Sequence, residues 1–412
     1  MVPEEFKEIR PYNDDEVRGA IDNLLHDRQF SHILKGFVPF LPVGVTRGIL
    51  RLATVGIHST LDFQLRFMKP VVKYVLRRCS TGHSFVHAGI APGSERYTFL
   101  SNHRDIVLDS AILDVMLNDD KFPTTCEIAI GDNLLIYPWI RTLVRLNKAF
   151  IVQRSLPMRE MLRASQTMSR YMHYAIAEKH ENIWIAQREG RAKDSSDQTQ
   201  VSLLKMLAIS GEGDTAGAIK SIRALNVVPL AISYEFDPCD YLKAQEFQLK
   251  RDNPGWKKSK QDDLQNMKTG IFGQKGHVHY QTGRPVNEWI DSLSHLPEKF
   301  FFQAVAQRID SEIHQSYRLY PCNLAAADLL AAAAPSSAEG SVPSGSSART
   351  APSRSTAEQR ATFETYLQQR VDLATQGLQA QGVTPDPAFL RERLLTMYAN
   401  PVFNLERVKS EK

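Results

Sequence analysis

Short apolar runs alternate with longer, helically spaced stretches through most of the chain. The runs at Ser84–Gly89, Tyr97–Asn102, Glu127–Ile130, Ala149–Gln153, Asn182–Ala186, Val227–Ser233 and His277–Thr282 have the length and β-branched content of strands. Between and after them, helical spacing predicts helices over Asp109–Leu117, Leu134–Leu146, Pro157–Lys179, Val201–Ser210, Thr215–Ala224 and Val286–Tyr317. Strands alternating with helices predict an α/β domain with a mostly parallel sheet flanked by helices. In such sheets functional residues gather beyond the carboxyl ends of the strands.

The pattern differs at both ends. Residues 1 to about 26 read as a polar lead-in with a helix near Asp15–Leu25. Residues 27–78 crowd apolar side chains such as Phe30, Ile33, Phe37, Phe40, Ile49, Leu52 and Val55 around Pro39, Pro42 and several glycines, then enter a helix from Leu61 to Arg78. Nine cations (Arg28, Lys35, Arg47, Arg51, Arg66, Lys69, Lys73, Arg77, Arg78) face two acids (Asp27, Asp62) there. An apolar, basic helical hairpin preceding the α/β domain is therefore expected. It suits an anionic membrane surface, although packing against the next domain would select similar apolar residues. The stretch following Ala325 is rich in Ala, Ser, Pro and Gly, as in a flexible linker. Helical spacing then returns at Phe363, Tyr366, Leu367 and Val371 and again at Phe389–Tyr398, with Pro401 expected to end the second helix. The expected organisation is thus a helical, membrane-surface-binding region at 1–83, an α/β domain at 84–324, a linker at 325–358 and a helical tail at 359–412.

Composition narrows the partners. A formal net charge of +4 over 412 residues is too small for a dedicated nucleic-acid binder, so no nucleic-acid partner is expected. The four cysteines are scattered and form no CxxC pair, which argues against a zinc ribbon or a disulfide framework and for a reducing compartment. The acidic first residues lack a secretory leader's apolar core, and no run of 18 apolar residues predicts a transmembrane helix. A peripheral protein on the cytoplasmic face of a membrane is the expected location.

Candidate chemistry starts with FLSNHRDIVLDSAILD, residues 99–114. A histidine at a strand-to-helix corner, followed by Asp105 and Asp109, can take a proton from a hydroxyl if a carboxylate holds its other ring nitrogen. A loop histidine beside a helix N-cap would give the same pattern. His277 and His279 share a strand face, but without a third ligand nearby no metal site is expected. The HRD triplet has the look of a kinase catalytic loop, but neither a Gly-rich loop with its strand lysine nor a DFG triplet accompanies it.

Three further blocks follow in order: the strand Ala149–Gln153 ending on Arg154, the strand Ile183–Ala186 running into Gln187–Arg188–Glu189–Gly190–Arg191–Ala192–Lys193, and the apolar strand Val227–Ser233 carrying Pro229. With the His103 block, they resemble the glycerolipid acyltransferase family, which includes glycerol-3-phosphate and 1-acylglycerol-3-phosphate acyltransferases, across roughly residues 84–290. The chain looks like a divergent, bacterial-type branch. The five residues between His103 and Asp109 exceed the family's usual spacing by one, and Gly190 meets Arg191 without the usual intervening residue.

The resemblance implies that His103 is a general base and that Asp109, or failing it Asp105, orients the ring. Arg154, Arg191 and Lys193 would hold the acceptor phosphate, with Arg104 and Lys148 as second-rank cations. Glu189 and Gly190 would shape the turn, and Pro229 would set a strand edge beside the acyl chain. The implied reaction moves a fatty acyl group from acyl-CoA or acyl carrier protein to the hydroxyl of 1-acylglycerol-3-phosphate, a lysophospholipid acceptor, giving phosphatidic acid. Glycerol 3-phosphate or another membrane lipid is the alternative acceptor, and a non-catalytic membrane-surface scaffold the alternative class. No redox, nucleotide or metal cofactor is implied.

Overall fold

A computed structural model describes residues 2–31, 42–154, 156–209, 213–333 and 353–411. Part of the expected hairpin, 32–41, and much of the expected linker, 334–352, lie outside the described residues. The strands are β1 (Gly82–Val86), β2 (Thr98–Ser101), β3 (Cys126–Gly131), β4 (Ala149–Val152), β5 (Asn182–Ala186), β6 (Val227–Tyr234) and β7 (His277–Thr282). They form one sheet in the order β1-β7-β6-β2-β5-β3-β4. Every neighbouring pair is parallel except β6 and β7, so the α/β, mostly parallel architecture stands.

Successive side chains point to opposite faces of the sheet. Leu100, Ile183, Ile185 and Ala231 pack beneath the helices Met158–Ala177, Val201–Ala208, Thr215–Ala224 and Glu298–Gln315. Phe99, Trp184, Val228, Ile232 and Tyr280 pack beneath Lys69–Cys79 and Leu108–Asp119 on the other face. With both faces covered, the strands read as continuous apolar runs. Phe6 and Ile9, in the expected polar lead-in, are buried on the first face, where Ile9 O accepts from Ile151 N at 2.8 Å on the sheet's β4 edge. The N-terminal helices Asp14–His26 and Val43–Ala53 gather around Val17, Ile21, Leu24, Ile57 and Phe63. Val45, Ile49, Leu52 and Val55 are exposed.

Several elements differ from expectation for identifiable reasons. The single helix expected over Val286–Tyr317 is two 3-10 turns, Val286–Glu288 and Ile290–Leu293, followed by Glu298–Gln315 behind Pro297. Proline has no N–H to continue a helix but suits its start. Pro138 likewise starts its helix later than the expected Leu134. Pro401, expected to end the last helix, is buried inside Pro387–Ser410. There the packing of Tyr398 and Val402 on either side outweighs one lost hydrogen bond. The expected linker begins later than 325, because Ala325, Ala326 and Ala327 are buried in the helix Pro321–Ala333. Two helices, Asp240–Asp252 and Lys260–Phe272, were not expected. The first buries Asp240, Lys243, Gln245, Glu246 and Gln248, so its inner face carries almost no hydrophobic period.

The tail helices Ala357–Ala380 and Pro387–Ser410 close a third core, with Leu367, Leu378, Leu390 and Leu394 against Ala244 and Ala325–Ala327. Leu394 is fully buried. Leu394→Ala is expected to destabilise the protein by about 3 kcal/mol through lost burial and a cavity, read by urea denaturation. A loss below about 1 kcal/mol would show that the tail does not share the cooperative core.

Candidate active site

Four strands deliver their following residues to one edge of the sheet. His103 lies two residues beyond β2, Arg154 two beyond β4 and Glu189 three beyond β5, while Tyr234 ends β6. Because β2, β4, β5 and β6 run in one direction, these are all carboxyl ends.

The two aspartates after His103 take separate roles. The His103 Nδ1–H donates to Asp109 Oδ2 at 2.8 Å. The same oxygen accepts from Arg104 N at 2.6 Å and Asp105 N at 3.1 Å, so it pins the turn as well as the ring. Asp109 Oδ1 accepts from the Tyr234 hydroxyl at 3.0 Å. Asp109 is almost wholly buried, and His103 keeps 13% of its side-chain exposure. Asp105 instead turns its Oδ1 to Val107 N and Leu108 N, both at 2.8 Å, and supports the start of the Leu108–Asp119 helix. Burial, with the nearby Asp109 charge, raises the Asp105 carboxyl above its ordinary range. Gly270 lets the Lys260–Phe272 helix lie against Asp105, since a Cβ there would sit 2.0 Å from Asp105 Oδ2.

Arg154 and Glu189 approach each other at 3.4 Å, with side chains 32% and 65% exposed. Arg154 N donates to Asp132 Oδ1 at 3.2 Å. Gly190 has φ +66°, the left-handed conformation that glycine adopts without strain. Arg191 and Lys193 are gathered by the two unexpected helices. Arg191 Nη2 donates to Asn266 Oδ1 at 2.8 Å, and Lys193 pairs with Glu246. Burial lowers the Lys193 ammonium to about 8 against the opposing pull of Glu246. Lys193 is therefore an anchored cation.

Two expectations change. Pro229 is not at a sheet edge, because β6 lies between β2 and β7. The proline is tolerated because its carbonyl accepts from Gly283 N at 2.8 Å, and its missing N–H falls on that side just past the last β6–β7 pair, Leu230–Thr282. Arg104 and Lys148 are buried in internal ion pairs with Asp197 and Glu181 and do not reach outward. His277 and His279 bond Tyr320 and Ser84, at 2.9 and 2.8 Å.

Residues not singled out from the sequence complete the site. Trp184 meets the His103 ring edge-to-face at 5.5 Å, and Tyr280 OH donates to Asp109 O at 2.9 Å. Trp184 lies on an expected strand two residues before its end, a readable position. The Tyr234 and Tyr280 roles arise only when β6 and β7 pair with Ile232 opposite Tyr280.

Residues 80–230 match the family model described as Acyltransferase. The matched stretch is an acyltransferase domain, and the protein is an acyl-transferring enzyme. No curated protein sequence matches it. Among solved structures, the 1-acyl-sn-glycerophosphate (LPA) acyltransferase PlsC from Thermotoga maritima aligns at 12% identity and a TM-score of 0.36, over 71% of this chain and 96% of that one.

Asp109→Asn is expected to lower kcat by about two to four orders of magnitude, because the amide favours the wrong ring tautomer. Asp105→Asn should cost about tenfold or less, since a helix-start contact survives with the amide oxygen as acceptor. Parallel turnover assays decide between them, and near-wild-type Asp109→Asn would remove Asp109 from its place on the ring.

Proposed function

We propose that the enzyme transfers a fatty acyl group from acyl-CoA or acyl carrier protein to the free hydroxyl of 1-acylglycerol-3-phosphate, forming phosphatidic acid. The observation that carries this reading is the His103–Asp109 contact at 2.8 Å, made at the carboxyl edge of a parallel sheet. With Nδ1 committed to Asp109, Nε2 is the basic nitrogen left for substrate. It takes the acceptor hydroxyl's proton as the oxygen attacks the thioester carbonyl, and Asp109 stabilises the resulting imidazolium. When the tetrahedral intermediate collapses, the C–S bond breaks and the imidazolium returns the proton to the departing thiolate. The acceptor oxygen thus does the work of a hydrolase serine, and no covalent acyl-enzyme is needed.

Arg154 is the cation best suited to the acceptor phosphate, since it is partly exposed and its 3.4 Å pairing with Glu189 is loose. Arg191, tied to Asn266, is the second. Lys193 acts at one remove by fixing the turn to the Asp240–Asp252 helix through Glu246. Glu189 orients Arg154, and Gly190 provides the left-handed turn between Glu189 and Arg191.

An anionic membrane surface supplies the lysophospholipid. Supporting this are the exposed Val45, Ile49, Leu52 and Val55 beside the exposed Arg51. Among the described residues no helix is long and apolar enough to cross a membrane. The protein then sits peripherally on the cytoplasmic leaflet, where acyl-CoA and acyl carrier protein are available.

His103→Ala is expected to abolish transfer of labelled acyl chain to 1-acylglycerol-3-phosphate. Retained transfer would refute the base assignment. Arg154→Ala should raise KM for the phosphorylated acceptor by about 10- to 100-fold, the worth of one charge-assisted hydrogen bond. A panel containing glycerol 3-phosphate and unphosphorylated lipids separates the acceptors, and failure with every acceptor would favour the scaffold alternative. Separately, Ile49→Asp with Leu52→Asp should weaken binding to anionic vesicles at least tenfold, from the loss of about 3 kcal/mol of burial. Unchanged vesicle affinity would remove this helix from the membrane contact.

A further inference from the structure

We propose that Asp197 is a positioning residue that fixes His103 by holding both of its chain neighbours on one buried carboxylate oxygen. The inference rests on the reading of His103 as the base. Asp197 is fully buried. Its Oδ2 accepts from Arg104 Nη2 at 2.6 Å, from Asn102 Nδ2 at 3.3 Å and from the Tyr317 hydroxyl at 2.6 Å. Asn102 is also clamped to β6, its Oδ1 accepting from Ile232 N at 2.7 Å and its Nδ2 donating to Ile232 O at 2.9 Å. Arg104 Nη1 donates to Ser195 Oγ at 2.8 Å. His103 is thus strung between two side chains that share one anchor. Asp197 acts on the His103 ring at one remove, through Asn102 and Arg104.

The anchor itself is braced from distant parts of the chain. Ser195 and Asp197 have φ of +58° and +45°, a left-handed backbone that is strained for residues other than glycine. Asn404 Nδ2 donates to Ser195 O at 3.1 Å, Asn400 Nδ2 to Asp194 O at 2.6 Å, and His314 Nε2 to Asp197 O at 3.1 Å. Asn400 and Asn404 lie one turn apart on the last helix. A path of direct contacts therefore runs from Asn404 on the C-terminal tail through Ser195 and Arg104 to the histidine turn, and the segment 194–197 that the tail holds carries Asp197. It gives the tail a part in catalysis beyond stability: a buried ion pair in low dielectric is stiff, and small misplacements of a general base are costly in rate.

The test uses the full-length enzyme with acyl-CoA and 1-acylglycerol-3-phosphate. Asp197→Asn, folded by circular dichroism, should lower kcat at least about tenfold while both KM values stay within about twofold. Tyr317→Phe and Asn404→Ala should lower kcat by smaller factors in the same pattern. In an Asp109→Asn background, where the ring is already misdirected, Asp197→Asn should cost less than about threefold. Wild-type kcat in folded Asp197→Asn, a loss confined to KM, or a full multiplicative loss beside Asp109→Asn would each overturn the proposal. If Asp197→Asn does not fold, Tyr317→Phe decides, and unchanged kcat overturns the proposal. An active His103→Ala enzyme would instead defeat the base assignment on which the proposal rests.

Discussion

A carboxylate removed from water must be surrounded by donors, and Asp109 is surrounded by four: the His103 ring, two consecutive backbone N–H groups and the Tyr234 hydroxyl. Three of these belong to the turn 103–105 and the fourth to the end of β6. Satisfying one buried charge therefore sets the ring tautomer, the shape of the turn and the docking of the Leu108–Asp119 helix on the sheet together. Remove the charge and all three lose their common acceptor.

Around that centre the enzyme is built in polar tiers on an apolar sheet. Asp105 supports the helix start, Asp197 ties Asn102 and Arg104 to Tyr317, and Arg104 also donates to Ser195. Asn266 and Glu246 gather the cations of the glutamate–glycine turn from the segment between β6 and β7. This segment and the C-terminal tail meet around Asp240, whose Oδ2 accepts from Tyr366 and Tyr398 at 2.7 and 2.8 Å. The tail thereby joins the support of the site, although it is separated from the α/β region by an Ala/Ser/Pro-rich stretch.

The sheet was legible because its strands are buried on both faces and read as apolar runs between helical stretches; Asn182–Ala186 and His277–Thr282 fall where the sequence places them. The order His103, Arg154, Glu189 was legible because each follows such a strand. What escaped is what depends on polar burial. Asp240–Asp252 hides glutamines, an aspartate and a lysine rather than an apolar stripe, so no period betrays it. Asp197 sits in a stretch resembling a surface loop, and its burial follows from the distant Arg104, Tyr317 and His314. Arg104 and Lys148 looked like free cations because their partners, Asp197 and Glu181, lie far away in sequence. Pro401 misled because local propensity was overridden by packing on both sides.

We propose that Asp109 holds His103 as the Nδ1–H tautomer, leaving Nε2 as the base. Nitrogen NMR of the enzyme with labelled histidine, the His103 signals identified by their loss in His103→Gln, tests it directly. At neutral pH Nδ1 should be protonated and Nε2 bare, with that preference lost in Asp109→Asn. A His103 ring protonated on Nε2 in the wild-type enzyme would contradict it.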